Sequence, residues 1–534
     1  MDLEDDMVGR WRLQGDCKDS SGNDNHGVCR GVELAPSGAR FTGVDSYVEV
    51  PDDAFLHLGE GEFSIAAWVH TDAKLDDALG DILTKYDPES RTGFNISILN
   101  LHGVVSSQPN YRNLFFGVDA GLAPKWADCG RPGQAVLVWS LCVYRGGLYA
   151  GTFEIGEEQR GHVYRYAGRT TWIDCGSPHP SNAITSLAVY DGKLYAAASH
   201  YRSSGSALPE SENMTPGGRV FRYEGGRSWT DCGKVGRGEA IGGLAVFSGR
   251  LYASSMYAPA GLFRYEAARE WTDCGNPGGR VEALTVYRGH LYGSGWDAER
   301  GGVYRYEGGS SWSDCGTPPG NTQTYSFAIH RGSLCVGTWP SGRVFRMSGD
   351  GWQDCGRLGE EMEVMGMAVF NGKLYAGTLP SARVYRYDGG RDWVDVGQLD
   401  ATPGVKYRRA WSMAVFRGKL FCGTLPSGHV HSLTAGCCVT HDWELKAGWQ
   451  HIVAVRRSRE LCLLVNGRTV AREKLGSRRV NVTNSRPLMI GFGEHDYFKG
   501  SLRDVRIYAR GLCDKEGAQN CDPPTGLPNQ YNRP

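Results

Sequence analysis

The sequence predicts an all-β protein in which a seven-bladed β-propeller is inserted into a β-sandwich. A Trp-x-Asp-Cys-Gly element recurs along the middle of the chain, and hairpin patterns fill the intervals between its copies. Strand-like segments that lack this repeat flank it on both sides. Glycine accounts for 75 of 534 residues, roughly twice its average usage, which favours short strands and tight turns over helices.

The repeated element defines the blades. Each interval between copies holds two hairpin patterns that turn on glycine, as in residues 186–198, so one unit is four antiparallel strands in about 40 residues. Units of this length without a helical pattern are typical of propeller blades. The last copy reads Trp-Val-Asp-Val-Gly. The seven tryptophans are Trp126, Trp172, Trp229, Trp271, Trp312, Trp352 and Trp393.

The two ends of the repeat region complement each other. The seventh unit has a third strand at residues 428–433 but no Trp-x-Asp element after it. The first copy of the element, at residues 125–130, precedes any hairpin of the repeat. We therefore expect the segment around Trp126 to form the outer strand of the last blade and to close the ring.

Other repeated residues have structural interpretations. The arginine of each Tyr/Phe-Arg-aromatic segment, such as Arg222, is expected to pair with the aspartate of the next element, such as Asp231. Six copies of one pair do not suit catalysis, which needs a single constellation. The repeated cysteines lie on different blades and are expected to be small buried fillers.

The flanking segments carry a second set of motifs. In order they are DSSGNDNHG (19–27), FTGVDSYVEVP (41–51), FSIAAWV (63–69), GWQHIVAV (448–455), LLVNG (463–467) and KGSLRDVRIYARGL (499–512). Together they resemble one laminin-G-like, concanavalin A-like jelly roll. The resemblance implies a discontinuous sandwich of residues 1–118 and 441–512. The repeat then places the propeller at 119–440, and the Pro- and Asn-rich composition of 513–534 predicts an extended tail. Proteolysis in the connections at 119–125 and 436–442 is then expected to release a folded ring.

The same resemblance implies a structural calcium ion. Domains of this kind often hold one through the early Asp-Ser-Ser-Gly loop and the aspartate of the last strand. The matching residues are Asp19 and Asp504, with backbone carbonyls completing the oxygen shell. The alternative is that Asp19 only caps its turn.

The propeller face that carries the second-strand ends and first-strand starts is the expected binding surface, here called the cup. Aromatic faces that stack on sugar rings and arginines that donate hydrogen bonds suit a glycan pocket. The alternative is that the aromatic side chains only fill the central channel. The candidate ligand-binding residues are Phe153, Trp296, Trp339, Tyr257, Tyr325, Trp411, Arg202, Arg408 and Arg409.

Two catalytic arrangements in the cup are open. Glu239, Glu282 and Glu363 begin first strands, so two of them could serve as acid and base in glycoside hydrolysis. Alternatively, His200 with Tyr201 could abstract a proton from a uronic acid, as in a polysaccharide lyase. The chain lacks the Ser-x-Asp-x-Gly-x-x-Trp boxes of sialidases.

Charge and cysteine usage limit the possible cellular locations and partners of the protein. A net charge of −1 gives no general attraction to nucleic acid, and no apolar stretch reaches the length of a membrane span. No signal peptide is evident, yet Cys17 and Cys29, Cys513 and Cys521, and three Asn-x-Ser/Thr sequons favour an extracellular or cell-surface protein.

The sequence therefore predicts a carbohydrate-binding or adhesion protein whose ligand is a glycan or polysaccharide. The alternative is a carbohydrate-active enzyme, either a glycoside hydrolase or a polysaccharide lyase, with its active site in the cup. A protein partner is a third possibility. The glycan, the oligomeric state and the disulfide connectivity are not determined by these patterns.

Overall fold

The computed structural model describes residues 6–156, 158–296, 301–349, 351–476 and 479–519. Nine strands come first: β1 Met7–Trp11, β2 Val28–Arg30, β3 Glu33–Ala35, β4 Gly38–Thr42, β5 Tyr47–Val50, β6 Phe63–Thr71, β7 Gly80–Asp87, β8 Thr92–Leu99 and β9 Asn113–Ala120. A 3₁₀ turn, Ala54–Leu56, follows β5. Among the described residues, no helix is long and apolar enough to cross a membrane.

The middle of the chain forms the next 28 strands. They are β10 Lys125–Asp128, β11 Leu137–Tyr144, β12 Gly147–Phe153, β13 Val163–Gly168, β14 Thr171–Asp174, β15 Ala183–Tyr190, β16 Lys193–Ser199, β17 Arg219–Gly225, β18 Ser228–Lys234, β19 Ile241–Phe247, β20 Arg250–Ser255, β21 Leu262–Ala267, β22 Glu270–Asp273, β23 Arg280–Tyr287, β24 His290–Trp296, β25 Val303–Gly308, β26 Ser311–Asp314, β27 Gln323–His330, β28 Ser333–Trp339, β29 Arg343–Ser348, β30 Gly351–Arg357, β31 Glu363–Phe370, β32 Lys373–Leu379, β33 Arg383–Gly389, β34 Asp392–Gln398, β35 Arg409–Phe416, β36 Lys419–Leu425 and β37 Val430–Thr434. A second 3₁₀ turn, Ser203–Ser206, lies between β16 and β17.

Six strands and one short helix end the described chain: β38 Cys437–His441, β39 Gly448–Arg457, β40 Glu460–Val465, β41 Arg468–Lys474, β42 Leu488–Ile490, β43 Lys499–Tyr508 and α1 Asp514–Gln519. Residues 513–534 are predicted to be an extended tail, but their first part is helical. The carboxylate of Asp514 bonds Arg457 at 2.7 Å and Arg472 at 2.6 Å on the sandwich surface, which holds α1 there. Residues 520–534 lie outside the described part.

Two sheets form the sandwich, and each contains strands from both ends of the chain. One has the order β3-β4-β43-β6-β39-β40-β41, with β1 beside β43, and the other has the order β2-β5-β42-β7-β8-β9-β38. The later strands therefore lie between or beside earlier ones: β43 separates β4 from β6, and β42 separates β5 from β7. All these pairings are antiparallel, and neither chain segment could complete a sheet alone.

The propeller has seven four-stranded blades. Blades 1 to 6 are β11–β14, β15–β18, β19–β22, β23–β26, β27–β30 and β31–β34. Blade 7 consists of β35, β36 and β37, and β10 is its outer strand. Trp126 pairs with Leu433 in this sheet, which confirms the predicted closure of the ring.

The repeated tryptophans link neighbouring blades. Each indole nitrogen donates a hydrogen bond to a carbonyl oxygen in the outer strand of the preceding blade, as Trp229 does to Cys175 at 2.9 Å. The ring of bonds closes on itself, because Trp172 of blade 1 donates to Cys129 at the end of β10. The seven donors and acceptors are Trp126 to Val396, Trp172 to Cys129, Trp229 to Cys175, Trp271 to Cys232, Trp312 to Cys274, Trp352 to Cys315 and Trp393 to Cys355. We call this circle of bonds the tryptophan belt.

The predicted arginine–aspartate pairing is wrong in its partners. The strand register places Arg222 opposite Thr230 and Asp231 opposite Phe221, so the two side chains point to opposite faces of the blade. Arg222 instead bonds Glu224 at 2.7 Å. Asp231 accepts from Gly233 in its own turn, at 2.8 Å, and pairs with Arg219 and Arg269. The repeated cysteines are not in disulfides and all but Cys315 are buried, as predicted.

A loop of the sandwich fills the centre of the propeller. Residues 100–112, between β8 and β9, form hydrogen bonds with backbone groups of the inner strands of five blades. We call this segment the plug loop. Its bonds reach Val143 of blade 1, Leu187 of blade 2, Leu244 of blade 3, Phe327 of blade 5 and Val415 of blade 7. Inner-strand residues of blades 4 and 6 line a small void beside Leu101 and Val104.

Asn110 illustrates how the plug loop is held. Its side-chain amide donates to the carbonyl of Val415 at 2.8 Å and accepts from the Val415 N–H at 3.0 Å, as a neighbouring strand would. Asn110 is fully buried. The innermost strand of blade 7 is therefore paired with the sandwich loop as well as with β36.

A buried ion pair forms a second contact between the domains. Lys373, at the start of β32 in blade 6, is in contact with the carboxylate of Asp119 in β9. Beside it, Asn371 accepts a hydrogen bond from Asn95 of β8 at 3.1 Å. Lys373 and Asp119 are 4% and 1% exposed, so neither charge is solvated.

Two features bear on the compartment. Cys17 and Cys29 form a disulfide bond, as their spacing suggested. The sequons at Asn95 and Asn213 are buried, because Asn95 lies at the domain interface and Asn213 donates to two backbone carbonyls. Only the third sequon residue, Asn481, is exposed. The first two are therefore not accessible to glycosylation in the folded protein.

Candidate functional site

The cup has a floor of aromatic side chains. Trp139 packs on Tyr201, with ring centroids 4.3 Å apart, and on Trp411 at 5.0 Å. Phe153 packs edge-on against Tyr201 at 5.1 Å. Val105, at the tip of the plug loop, belongs to the same cluster. The channel is thus filled by the sandwich loop from below, and the aromatic residues cover the tip of that loop.

Larger and more open aromatic side chains form one wall. Trp296 and Trp339 end the second strands of blades 4 and 5 and are half-buried. Trp296 contacts Tyr325, with centroids 6.0 Å apart, and Trp339 contacts Tyr407 at 6.5 Å. Tyr407 is a cup residue that the sequence analysis missed.

Buried charges lie among these rings. Arg280 stacks over Trp296 at 3.7 Å from its ring centroid, and its Nη2 atom is 3.1 Å from Glu282 Oε2. Arg409 lies over the ring of Trp411 at 5.2 Å. Its Nη2 atom is 3.9 Å from Glu363 Oε2. Arg280 lies at the start of β23, among the first-strand starts that the sequence placed in the cup.

The two glutamates have altered acidity. Burial raises the pKa of Glu363 to about 7, against the lowering effect of Arg409, and the charge of Glu282 raises it further. Burial also raises the pKa of Glu282, opposed by Arg280 and Arg409. A carboxyl group with a pKa near 7 can either donate or accept a proton at neutral pH. Glu363 is therefore suited to proton transfer at neutral pH, and it lies in the same cup as a second carboxyl group, Glu282, whose pKa is also raised.

Several buried polar atoms in the cup have no hydrogen-bond partner among the described residues. Groups of this kind cost on the order of 1–3 kcal/mol each when left unpaired, so their concentration in one place calls for a reason. They are Nδ1 and Nε2 of His200, Nε of Arg280, Nε of Arg409 and Nε1 of Trp411. Oε2 of Glu282 makes no hydrogen bond either, but it is ion-paired with Arg280. A polar ligand entering the cup would satisfy them.

A long loop covers one side of the cup. The connection between the second and third strands spans residues 200–218 in blade 2 but only 340–342 in blade 5. Within it, Ser206 accepts a hydrogen bond from Arg409 of blade 7 and contacts the Tyr201 hydroxyl. Leu208 packs on the aromatic floor. We call residues 200–218 the blade-2 loop; it accounts for the 57-residue spacing between Trp172 and Trp229.

The remaining candidate residues are not all in the cup centre. Glu239 bonds Arg202 at 2.9 Å and is 3.7 Å from His200, at the outer edge where both it and Arg202 are partly exposed. The hydroxyl of Tyr257 accepts from the Arg202 N–H at 3.1 Å. Arg408 donates to the Thr402 carbonyl at 2.7 Å, which directs it away from the rings.

The candidate calcium residues are bridged by an arginine. The N–H of Arg10 donates to Asp19 at 2.8 Å, and its guanidinium bonds Asp504 at 2.8 Å. Arg506 also contacts Asp504. No group of three or more His, Cys, Asp or Glu side chains suited to a metal ion occurs in the described ranges. A calcium ion at Asp504 would compete with two guanidinium groups, and the site stays a prediction.

Comparison with known protein families agrees with the sandwich part of this architecture. The family model of the concanavalin A-like lectin/glucanases superfamily matches residues 429–516, which include β38–β43. No curated protein sequence matches the chain. The protein is a seven-bladed β-propeller inserted into a concanavalin A-like sandwich.

Solved structures similar to the chain are distant. Virginiamycin B lyase from Staphylococcus aureus is 10% identical, with a TM-score of 0.45 over 58% of this chain and 99% of that one. The extracellular domain of a hybrid two-component system from B. thetaiotaomicron is 13% identical, with a TM-score of 0.43 over 65% and 46%. A luciferin-regenerating enzyme is 12% identical, with a TM-score of 0.33 over 46% and 90%. Similarity at these sequence identities and TM-scores does not indicate a function.

Proposed function

We propose that this protein binds carbohydrate outside the cell and that the cup is its ligand site. The observation that carries the proposal is the group of buried polar atoms on His200, Arg280, Arg409 and Trp411 that have no hydrogen-bond partner among the described residues and lie among aromatic rings. Sugar rings present apolar C–H faces and many hydroxyl groups, so they match this mixture of stacking and hydrogen-bonding groups. The Cys17–Cys29 disulfide supports an extracellular location.

The blade-2 loop has a part in this proposal. The aromatic floor residues Trp139, Phe153 and Trp411 are each at most 3% exposed, and Leu208 of the loop packs against them, so a ligand that stacks on the floor requires the tip of the loop to move. Across the cup the loop is held by Ser206 and Leu208, and its two ends are anchored by Arg202 and Asn213. The half-buried Trp296 and Trp339 would make the first contact with a sugar.

Binding measurements on matched variants test the proposal. Trp339→Leu and Trp296→Leu install the residue that Leu379 and Leu425 provide in blades 6 and 7, so the blades should still fold. Loss of a stacked ring is expected to weaken binding of an array-identified glycan by about 10- to 100-fold, from roughly 1–3 kcal/mol. Binding that both variants leave unchanged would place the glycan site outside the cup.

A glycoside hydrolase or polysaccharide lyase is the second candidate, and the raised pKa values of Glu282 and Glu363 favour it. Glu363→Gln is then expected to abolish turnover while keeping affinity within a few fold. The measurement is release of reducing ends, and of unsaturated products detected by their ultraviolet absorbance, from a polysaccharide panel. Wild-type protein that binds glycan but releases neither product would leave binding alone as the function.

A further inference from the structure

A cleft of about 660 Å³ lies between the propeller and the sandwich, away from the cup. The propeller wall comes from blades 5 and 6 and includes Arg331, Tyr387 and Trp393. The sandwich wall includes Phe492 and Glu494, between β42 and β43. Its volume is within the range of about 300–1,000 Å³ found for small-molecule sites.

Three partly exposed aromatic rings line this cleft. Tyr387 and Trp393 lie side by side on the propeller wall, with ring centroids 5.1 Å apart. On the sandwich wall, Phe492 is stacked on Tyr497 with centroids 4.2 Å apart, which fixes its orientation. Rigid aromatic surfaces on two facing walls provide stacking area for a flat apolar face.

A buried carboxyl group is part of the same lining. Glu494 is 7% exposed, and its side-chain oxygens make no hydrogen bond with the described residues. The nearest nitrogen atoms of basic side chains are His330 Nε2 at 3.8 Å and Arg331 Nε at 3.9 Å. Burial raises the pKa of Glu494 to about 7 and lowers that of His330 to about 3. The imidazole is therefore neutral, and the carboxyl group can donate or accept a hydrogen bond.

The charges of the lining nearly cancel. Its acidic residues are Glu89, Asp388, Asp392 and Glu494, and its basic residues are Arg331, Arg346 and Lys373. Lys373 is already paired with Asp119, and Asp388 with Arg386. A strongly charged ligand would gain little here, whereas a neutral ligand with hydroxyl groups would find both stacking and hydrogen-bonding partners.

We propose that this cleft is a second binding site, for a short neutral saccharide held between Trp393 and Phe492 and hydrogen-bonded by Glu494. It is separate from the cup and does not depend on the function proposed there. Because its walls belong to different domains, a bound saccharide would contact both and would stabilise their contact.

The repeat supplies a matched control for the test. Trp352 occupies the same position in blade 5 as Trp393 in blade 6, and both donate to the preceding blade, at 3.0 and 2.9 Å. Trp352 does not line the cleft. Trp393→Leu and Trp352→Leu therefore each remove one equivalent hydrogen bond of the tryptophan belt, but only Trp393→Leu also changes the lining of the cleft.

The experiment uses the full chain and an array of neutral oligosaccharides, followed by calorimetric titration of those that bind. Trp393→Leu, Phe492→Ala and Glu494→Leu are each expected to weaken at least one saccharide by tenfold or more, while Trp352→Leu and the cup variant Trp339→Leu leave it within twofold. Thermal unfolding without ligand checks that each variant is folded.

Two results overturn the inference. One is that no neutral saccharide binds, or that every saccharide that binds is unaffected by the three cleft variants. The other is that Trp352→Leu weakens binding as much as Trp393→Leu does, which would assign the effect to blade stability. In the first case, if every saccharide that binds is lost through Trp339→Leu, the result supports the cup while it refutes the cleft.

Discussion

Asn110→Ala should destabilise the protein more than any surface asparagine substitution, because it removes the contact of the plug loop with blade 7. The change leaves the N–H and the carbonyl of Val415 without their partners on the loop side, and both are buried. An orphaned buried group costs about 1–3 kcal/mol, so the two together cost about 2–6 kcal/mol.

This cost translates into a small but measurable shift in Tm. The entropy of unfolding is about 2.1 cal/mol/K per residue, which for 534 residues gives roughly 1.1 kcal/mol/K. Tm is therefore expected to fall by about 2–5 °C. Differential scanning calorimetry is the assay, with Asn276→Ala as the control, because Asn276 is exposed on a loop between blades 3 and 4.

The control should stay within about 0.5 kcal/mol of wild type. An Asn110→Ala protein with the Tm of the control would refute the argument that the plug loop stabilises the ring.

The plug loop also affects the expected outcome of limited proteolysis. Cleavage at 119–125 and 436–442 should leave the ring attached, contrary to the expectation from sequence, because residues 100–112 stay inserted in it.

Three other measurements follow from the contacts described above. Lys373→Met should lower stability to urea by about 3–5 kcal/mol, because it leaves the buried Asp119 charge unpaired. Burial raises the pKa of Asp504, but hydrogen bonds from Arg506 and Arg10 outweigh burial and lower the pKa to about 2. The contribution of Asp504 to the free energy of unfolding should therefore be complete above pH 4 and be lost as the pH falls through 2. Over this pH range, the Tm of Asp504→Asn should fall less steeply than that of the wild type. In a eukaryotic secretory host, peptide mapping should find higher glycan occupancy on the exposed Asn481 than on Asn95 or Asn213, because a glycan on either buried residue would prevent its native contacts.

The ring and its closure could be predicted because the repeat has an unmatched strand at each end. The pattern around Trp126 and residues 428–433 required one pairing, and the backbone follows it. Side-chain partners were less predictable. In the observed strand register Arg222 lies opposite Thr230, one residue before Asp231, so the side chains of Arg222 and Asp231 point to opposite faces of the blade. Spacing along the chain does not determine this register.

The plug loop had no sequence signal. Residues 100–112 have no period of two and follow a strand, which is the usual pattern of a surface loop. Their burial depends on the channel of another domain, which no local pattern describes. In the cup, residue types such as Trp339 and Glu363 could be selected because they vary among otherwise similar blades. Contacts across the cup, such as Ser206 with Arg409, depend on the long blade-2 loop.

The split sandwich has a consequence for synthesis on the ribosome. Strands β6 to β9 emerge early, yet their partners β38, β39, β42 and β43 follow only after roughly 320 further residues. At about 5–20 residues per second, the open sheet edges wait for roughly 15–60 s. During that interval they are exposed to pairing with other nascent chains. The protein should therefore depend on chaperones during translation more than a tandem arrangement of the same two domains would.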